Sequence, residues 1–138
     1  MSEENKALIQ RWFEEVWNQG NEKAIDELLA EDGVIHGLVD ASGNPVRGLK
    51  GFHEFHRQFR GAFPDIHVSV DDIIAEGDRV VARCSVRGRH TGENLGFAPT
   101  DAPVQFGGVA IVRISYGKIV EAWNHFDFLE MNKQLGVL

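Results

Sequence analysis

Residues 117–128 read GKIVEAWNHFDF and directly follow an apolar, strand-like run. The dipeptide Tyr116-Gly117 has the length and composition of a two-residue β-hairpin loop, with glycine where a positive φ is required. If the residues on either side of this loop pair with each other, the alternation of side chains assigns every later residue to one face of the sheet. The predicted inward face carries Trp123, His125 and Asp127.

The same register places the intervening side chains on the outward face of the sheet: Val120, Ala122, Asn124, Phe126 and Phe128. Two phenylalanines on an outer face are not expected to remain in contact with water. We therefore expect a subunit partner or the C-terminal segment to cover them, and we favour a homodimer or a higher homo-oligomer.

The preceding chain predicts helices followed by strands. Apolar residues at helical spacing indicate an amphipathic helix over 4–18, a shorter helix that ends before residue 31, and a third helix from 48 to 61. A short strand is predicted at 34–39, and the apolar period changes to two over the segments 66–76, 79–90 and 104–115. Without βαβ alternation, this order predicts an α+β fold with a curved antiparallel sheet.

Composition restricts the class of protein. A chain of 138 residues with 43% hydrophobic and 25% charged residues is typical of one globular domain, which we expect to span residues 1–138. A net charge of -7 argues against a nucleic-acid partner, which would need clustered lysine and arginine. No apolar run is long enough for a membrane helix, so we expect a cytoplasmic protein without a membrane partner.

Three titratable side chains are candidates for catalysis. Asp127 and His125 share the predicted inward face, and His90 ends an earlier strand on its core-facing side. A carboxyl group in an apolar pocket has a raised pKa, which lets it take and return a proton near neutral pH. The competing interpretations are that Asp127 caps the last helix and that both histidines are core residues satisfied by backbone groups.

Substrate-binding residues are expected where aromatic and histidine side chains face the interior. The candidates are His36, His56, Trp12, Trp123, Phe59 and Phe106. His53 and His56 have a spacing found in metal sites, but no carboxylate nearby in sequence completes a ligand set. We therefore expect no metal site there.

Several segments together resemble a known family: FPDI at 63–66, HTGE at 90–93, LGFAPT at 95–100, and GKIVE at 117–121 followed by Trp123 and Asp127. They resemble the SnoaL-like polyketide cyclase or ester cyclase family of the NTF2-like superfamily, over nearly the whole chain. The resemblance implies a cone-shaped α+β barrel with a deep apolar pocket. It also implies that Asp127 is the general acid and base of an aldol ring closure that needs no metal or Schiff base.

The sequence therefore supports two functional hypotheses. The first is a cofactor-independent lyase or isomerase that moves protons on a hydrophobic carbonyl compound, with His90 and His125 stabilising the enolate. The second is a protein that binds a small hydrophobic ligand, or assembles with others, without catalysis. A ketosteroid-isomerase mechanism is disfavoured because Tyr116, the sole tyrosine, lies in a turn.

Overall fold

The computed structural model describes residues 2–137 and confirms the α+β fold. The described elements are α1 (Ser2–Arg11), a π-helix (Trp12–Asn18), α2 (Glu22–Leu28), β1 (Leu29–His36), α3 (Gly48–Ala62), β2 (His67–Glu76), β3 (Arg79–Arg89), β4 (Pro103–Ser115), β5 (Lys118–Phe126) and α4 (Phe128–Leu135). No helix among these is long and apolar enough to cross a membrane.

The five strands form one curved sheet in the order β1-β5-β4-β3-β2. The predicted antiparallel meander from β2 to β5 is confirmed, whereas β1 pairs parallel to β5, so the sheet is mixed. Within residues 2–137 the sheet does not close, and β1 and β2 form its edges. The helices pack against the concave face in one continuous apolar cluster, which includes Ile9, Val16, Ile25, Phe63 and Val80. The result is a cone-shaped α+β fold.

The predicted first helix changes its winding at Trp12. A π-helix has i→i+5 hydrogen bonds, so residues five apart lie nearly above one another. Trp12 and Trp17 are five apart, and both are buried with their side chains on the interior side. In a regular α-helix these two indoles would lie on clearly different faces, because neighbours on one face are three or four residues apart. The π-helix therefore directs both tryptophans to the same interior space.

The carbonyl groups that the π-helix leaves without a helical partner are bound by side chains of α3. His56 Nε2 donates to the carbonyl oxygen of Val16 at 2.7 Å, and Arg60 donates to that of Trp17. His56 and Arg60 are one helical turn apart, so a single face of α3 satisfies both carbonyls. This arrangement fixes the π-helix against α3 and explains why a histidine lies within the phenylalanine stripe of that helix.

The hairpin between β4 and β5 begins as predicted and then departs from the predicted register. Tyr116 and Gly117 both have positive φ, and the first two pairs are Ser115 with Lys118 and Ile114 with Ile119. The next pair is Arg113 with Glu121, so Val120 is an extra residue in a β-bulge. Every later pair is displaced by one residue: Ala110 faces Asn124, and Gly108 faces Phe126. The predicted inward placement of Trp123 and His125 is therefore wrong.

The charge of Glu121 gives a physical reason for this bulge. Without it, Glu121 would oppose Val112 on the concave face, where a carboxylate would lose its hydration without gaining a partner. With the bulge, Glu121 lies on the convex face and binds Arg113 at 3.3 Å and His36 at 2.8 Å. His36, followed by Arg113, lowers the pKa of Glu121. The extra residue thus exchanges a buried unpaired charge for a solvated, paired one.

Buried His56 predicts a pH-dependent stability. Desolvation lowers its pKa below the value of about 6.5 for an unfolded histidine, although the bond to Val16 partly opposes this. The contribution of neutral His56 to the free energy of unfolding is fully present above about pH 6.5. It is lost as the pH falls toward the lower folded-state pKa, because the histidine of the unfolded chain takes up its proton at a higher pH than that of the folded chain. The free energy of unfolding should fall by up to about 1.4 kcal/mol per pH unit in this range.

Urea denaturation between neutral and mildly acidic pH checks this prediction. In His56→Gln, an amide donor can still reach Val16 but does not titrate, so the pH dependence should become shallower. His125→Gln is the matched control, because its imidazole is exposed on the convex face. Equal slopes in the two variants would show that burial of His56 is not the cause.

Candidate functional site

A cavity lies between the concave face of the sheet and the helices. Its volume is about 790 Å³, including its opening to solvent. Aromatic side chains form much of its wall, among them Trp12, Trp17, Phe59, Phe106 and Phe126. Three of the predicted substrate-binding residues, Trp12, Phe59 and Phe106, thus lie in the wall. The apolar character of this wall is that of a site for a small hydrophobic molecule.

The described wall contains no aspartate, glutamate, histidine, lysine, cysteine or tyrosine side chain. Its carboxamide comes from Asn124, on the same side of β5 as the wall residues Ala122 and Phe126. Asn124 Nδ2 donates to the carbonyl oxygen of His36 at 3.0 Å, which anchors the amide to the end of β1. The polar chemistry within the cavity is therefore that of an amide held in a fixed orientation.

Gly37 makes this anchoring possible. It has a φ of +85°, and a Cβ on it would lie 1.9 Å from the backbone oxygen of Asn124. Only a residue without a side chain allows β1 to end this close to β5. Gly37 therefore sets the position of Asn124 relative to the end of β1.

Asp127 lies outside β5 and acts as the N-cap of α4. Its Oδ1 accepts a hydrogen bond from the backbone N–H of Glu130 at 3.0 Å, and the residue is exposed. The predicted inward orientation is thus wrong, and the competing interpretation as a helix cap describes the structure. Asp127 still lies beside the cavity, because its neighbours Phe126 and Phe128 both line it. No partner is found for Oδ2 within residues 2–137.

His36, Trp123 and His125 belong to the convex face of the sheet. His36 stacks on Trp123 with ring centroids 5.5 Å apart, and the guanidinium of Arg79 lies 5.2 Å from the Trp123 ring. His125 is exposed beside them on β5. Trp123 and His125 do not line the cavity, because the Val120 bulge reverses their direction, and His36 lies outside the wall at the end of β1. Phe126 and Phe128 line the cavity and so do not need a subunit partner to cover them; the homodimer stays a prediction.

His90 is completely buried, but beneath the 91–102 segment rather than in the cavity wall. Its ring lies between Phe63 and Phe97, with centroids 5.5 and 5.4 Å away. The backbone N–H of Thr100 donates to Nδ1 at 3.1 Å, so the neutral ring carries its proton on Nε2. Burial lowers the pKa of His90; Gly92 offsets part of this shift, although it completes no hydrogen bond with Nε2.

The contacts of the α3 histidines do not support the predicted substrate-binding role of His56. His53 Nε2 binds Asp26 at 2.8 Å, whereas His56 binds Val16 and lies behind the cavity wall. Within residues 2–137 no group of three or more histidine, cysteine, aspartate or glutamate side chains is arranged to hold a metal ion.

The three predicted catalytic side chains therefore do not converge. Asp127 caps α4, His125 lies on the convex face, and His90 is buried under a loop. Sequence reasoning missed Asn124, although a signal was present: the predicted register required something else to cover Phe126 on the outer face, and it placed Glu121 in the core. A β-bulge before Glu121 moves Glu121 to the convex face and Phe126 to the concave face.

The fold and the apolar cavity agree with the comparison with protein families. The model of the SnoaL-like polyketide cyclase family matches residues 7–135. The chain belongs to this family. None of the curated proteins compared with the SnoaL-like chain matches it.

Solved structures show the same SnoaL-like fold. IdmH, a proposed polyketide cyclase from Streptomyces antibioticus, is 33% identical; the match covers 96% of this chain and 99% of IdmH, with a TM-score of 0.80. A proposed polyketide cyclase from Bacillus cereus is 30% identical over 98% of this chain and 82% of its own, with a TM-score of 0.82. AclR, a proposed hydroxylase from Streptomyces galilaeus, is also 30% identical over 100% of this chain and 84% of its own, with a TM-score of 0.85. Similar folds thus carry different proposed activities.

The packing of Phe126 in the cavity wall of this SnoaL-like protein depends on Gly108. A Cβ at position 108 would lie 2.3 Å from Phe126 Cδ1 and 2.7 Å from its Cα. Gly108→Ala should therefore displace Phe126 and lower the free energy of unfolding by about 1–3 kcal/mol. Gly107→Ala is the matched control, because its Cβ would meet Cys84 O at 3.5 Å, an ordinary contact. Chemical denaturation of both variants checks the difference; equal stabilities would contradict the packing argument.

Proposed function

We propose that this protein binds a hydrophobic carbonyl compound in its apolar cavity and promotes ring closure of that compound. The observation that carries the proposal is the cavity itself, with its aromatic wall and the anchored carboxamide of Asn124. Membership of the SnoaL-like family supports a polyketide cyclase-like role. Beyond family membership, we propose the substrate class, a hydrophobic carbonyl compound, and the reaction, ring closure.

The cavity contributes by confining the substrate. A flexible chain that bears two carbonyl groups loses conformational freedom when it closes into a ring, and a shaped site supplies that ordering from binding energy. The close aromatic side chains of Trp12, Trp17 and Phe59 favour a folded, flat substrate over an extended one. A substrate that covers this apolar wall would displace water from it, which would protect an enolate from protonation by solvent.

Asp127 is our proposed acid and base for an aldol closure. Its carboxylate would take a proton from the carbon next to one carbonyl, and the resulting enolate would form a carbon–carbon bond to the second carbonyl. The alkoxide formed there would receive the proton back from Asp127. The position between two wall residues and the unpaired Oδ2 support this role, while the bond from Glu130 leaves Oδ2 available. The reacting part of the substrate would then lie at the cavity edge.

Asp127→Asn separates this role from the capping role. Asparagine is as good an N-cap as aspartate, so the stability should change by less than about 0.5 kcal/mol. General acid–base catalysis contributes about a hundredfold or more, so the rate of ring closure should fall by at least that factor while binding is unchanged. The measurement is the absorbance change on aldol closure of an aryl-substituted diketone, with affinity from calorimetry.

Asp127→Ser is the matched control, since serine also caps the helix but cannot carry a carboxylate charge. Both variants should be equally slow. Full activity in either of them would show that Asp127 is not the acid and base.

A second candidate function is ligand binding without catalysis. It is favoured by the absence of titratable side chains from the described cavity wall. In that case the wild-type protein would bind the diketone but leave its rate of closure at the uncatalysed value. The same two measurements therefore distinguish the two functions.

A further inference from the structure

The side-chain amide of Asn124 has a defined orientation. A backbone carbonyl oxygen only accepts hydrogen bonds, so the atom that faces the carbonyl of His36 must be the amide nitrogen, Nδ2. The oxygen, Oδ1, is therefore directed away from this contact. Gly37 holds the His36 carbonyl against β5, so the orientation is built into the backbone.

Oδ1 has no hydrogen-bond partner within residues 2–137. The cavity wall around Asn124 consists of apolar groups: Ala122 and Phe126 flank it on β5, and Ala110 opposes it on β4. None of these side chains can donate a hydrogen bond. Oδ1 is therefore available to water or to a ligand in the cavity.

This unpaired oxygen discriminates between ligands. A purely apolar ligand that covered Asn124 would remove Oδ1 from water without replacing the lost hydrogen bond, which is unfavourable. A ligand with a hydroxyl group at this point would donate to Oδ1. A methyl ether at the same point has nearly the same shape but cannot donate.

We propose that Asn124 is a specificity-determining residue that selects hydrophobic ligands carrying a hydroxyl group, alcoholic, phenolic or enolic, through a hydrogen bond to Oδ1. The inference rests on the proposed binding function of the cavity but not on Asp127 or on catalysis. It gives a ligand class narrower than a hydrophobic carbonyl compound: one that also bears a hydroxyl donor.

Calorimetric titration with naphthol, methoxynaphthalene and naphthalene tests the proposal. The wild-type protein should bind naphthol about three- to tenfold more tightly than methoxynaphthalene, as expected for one neutral hydrogen bond. In Asn124→Leu this preference should vanish, because naphthol binds more weakly while methoxynaphthalene does not. The comparison within the wild-type protein decides the question even if the variant folds poorly.

Asn5→Leu is the matched control. Asn5 Nδ2 also donates to a backbone carbonyl, that of Gly77 at 3.3 Å, but it lies outside the cavity. This variant loses the same kind of bond and should keep the wild-type preference for naphthol. A preference that persists in Asn124→Leu, or that disappears in Asn5→Leu, would overturn the assignment to Asn124.

The outcomes separate this inference from the proposed function. Binding of the probes without a preference for naphthol overturns the role of Asn124 alone. Absence of binding by every probe overturns the cavity as a ligand site and both proposals with it. A preference for naphthol together with no ring closure of the diketone supports the role of Asn124 and contradicts catalysis.

Discussion

The extra residue at Val120 is the constraint on which the interior of the molecule depends. Because side chains alternate along a strand, one inserted residue exchanges the two faces of everything that follows. Glu121 consequently reaches Arg113 and His36, and Asn124 and Phe126 reach the cavity. Had β5 continued without the bulge, the wall would have gained a carboxylate and an imidazole and lost its carboxamide. One backbone irregularity thus decides the chemistry of the site.

A second irregularity acts from the opposite side of the cavity. The π-helix brings Trp12 and Trp17 onto one face, and α3 stabilises it through His56 and Arg60. The π-helix and the β-bulge at Val120 both place large side chains where a regular helix or strand would not have placed them. The cavity is therefore formed where a helix and a strand depart from their ideal repeats, which agrees with the frequent occurrence of such departures at functional sites.

The elements and their order could be predicted from the sequence, because hydrophobic period and turn residues are local signals. The Tyr116-Gly117 turn, for example, follows from such signals, and the structure confirms it. The face of β5 could not be derived from its turn, because register there depends on the burial cost of Glu121 several residues away. Likewise, nothing local shows that Leu29 already belongs to a strand rather than to the end of α2. The site was mispredicted where non-local energies override a local pattern.

The open edge of the sheet at β2 limits how copies of the chain can associate. An exposed edge strand offers unpaired backbone groups to any other strand, and charged residues and bulges interrupt such pairing. β2 carries Asp71, Asp72 and Glu76 as exposed residues, and its bulge lies at Asp71. Two such edges would bring carboxylates together across a kinked ladder, which repels a second copy. Protection against strand-to-strand aggregation is thus provided by the same kind of one-residue insertion that shapes the cavity.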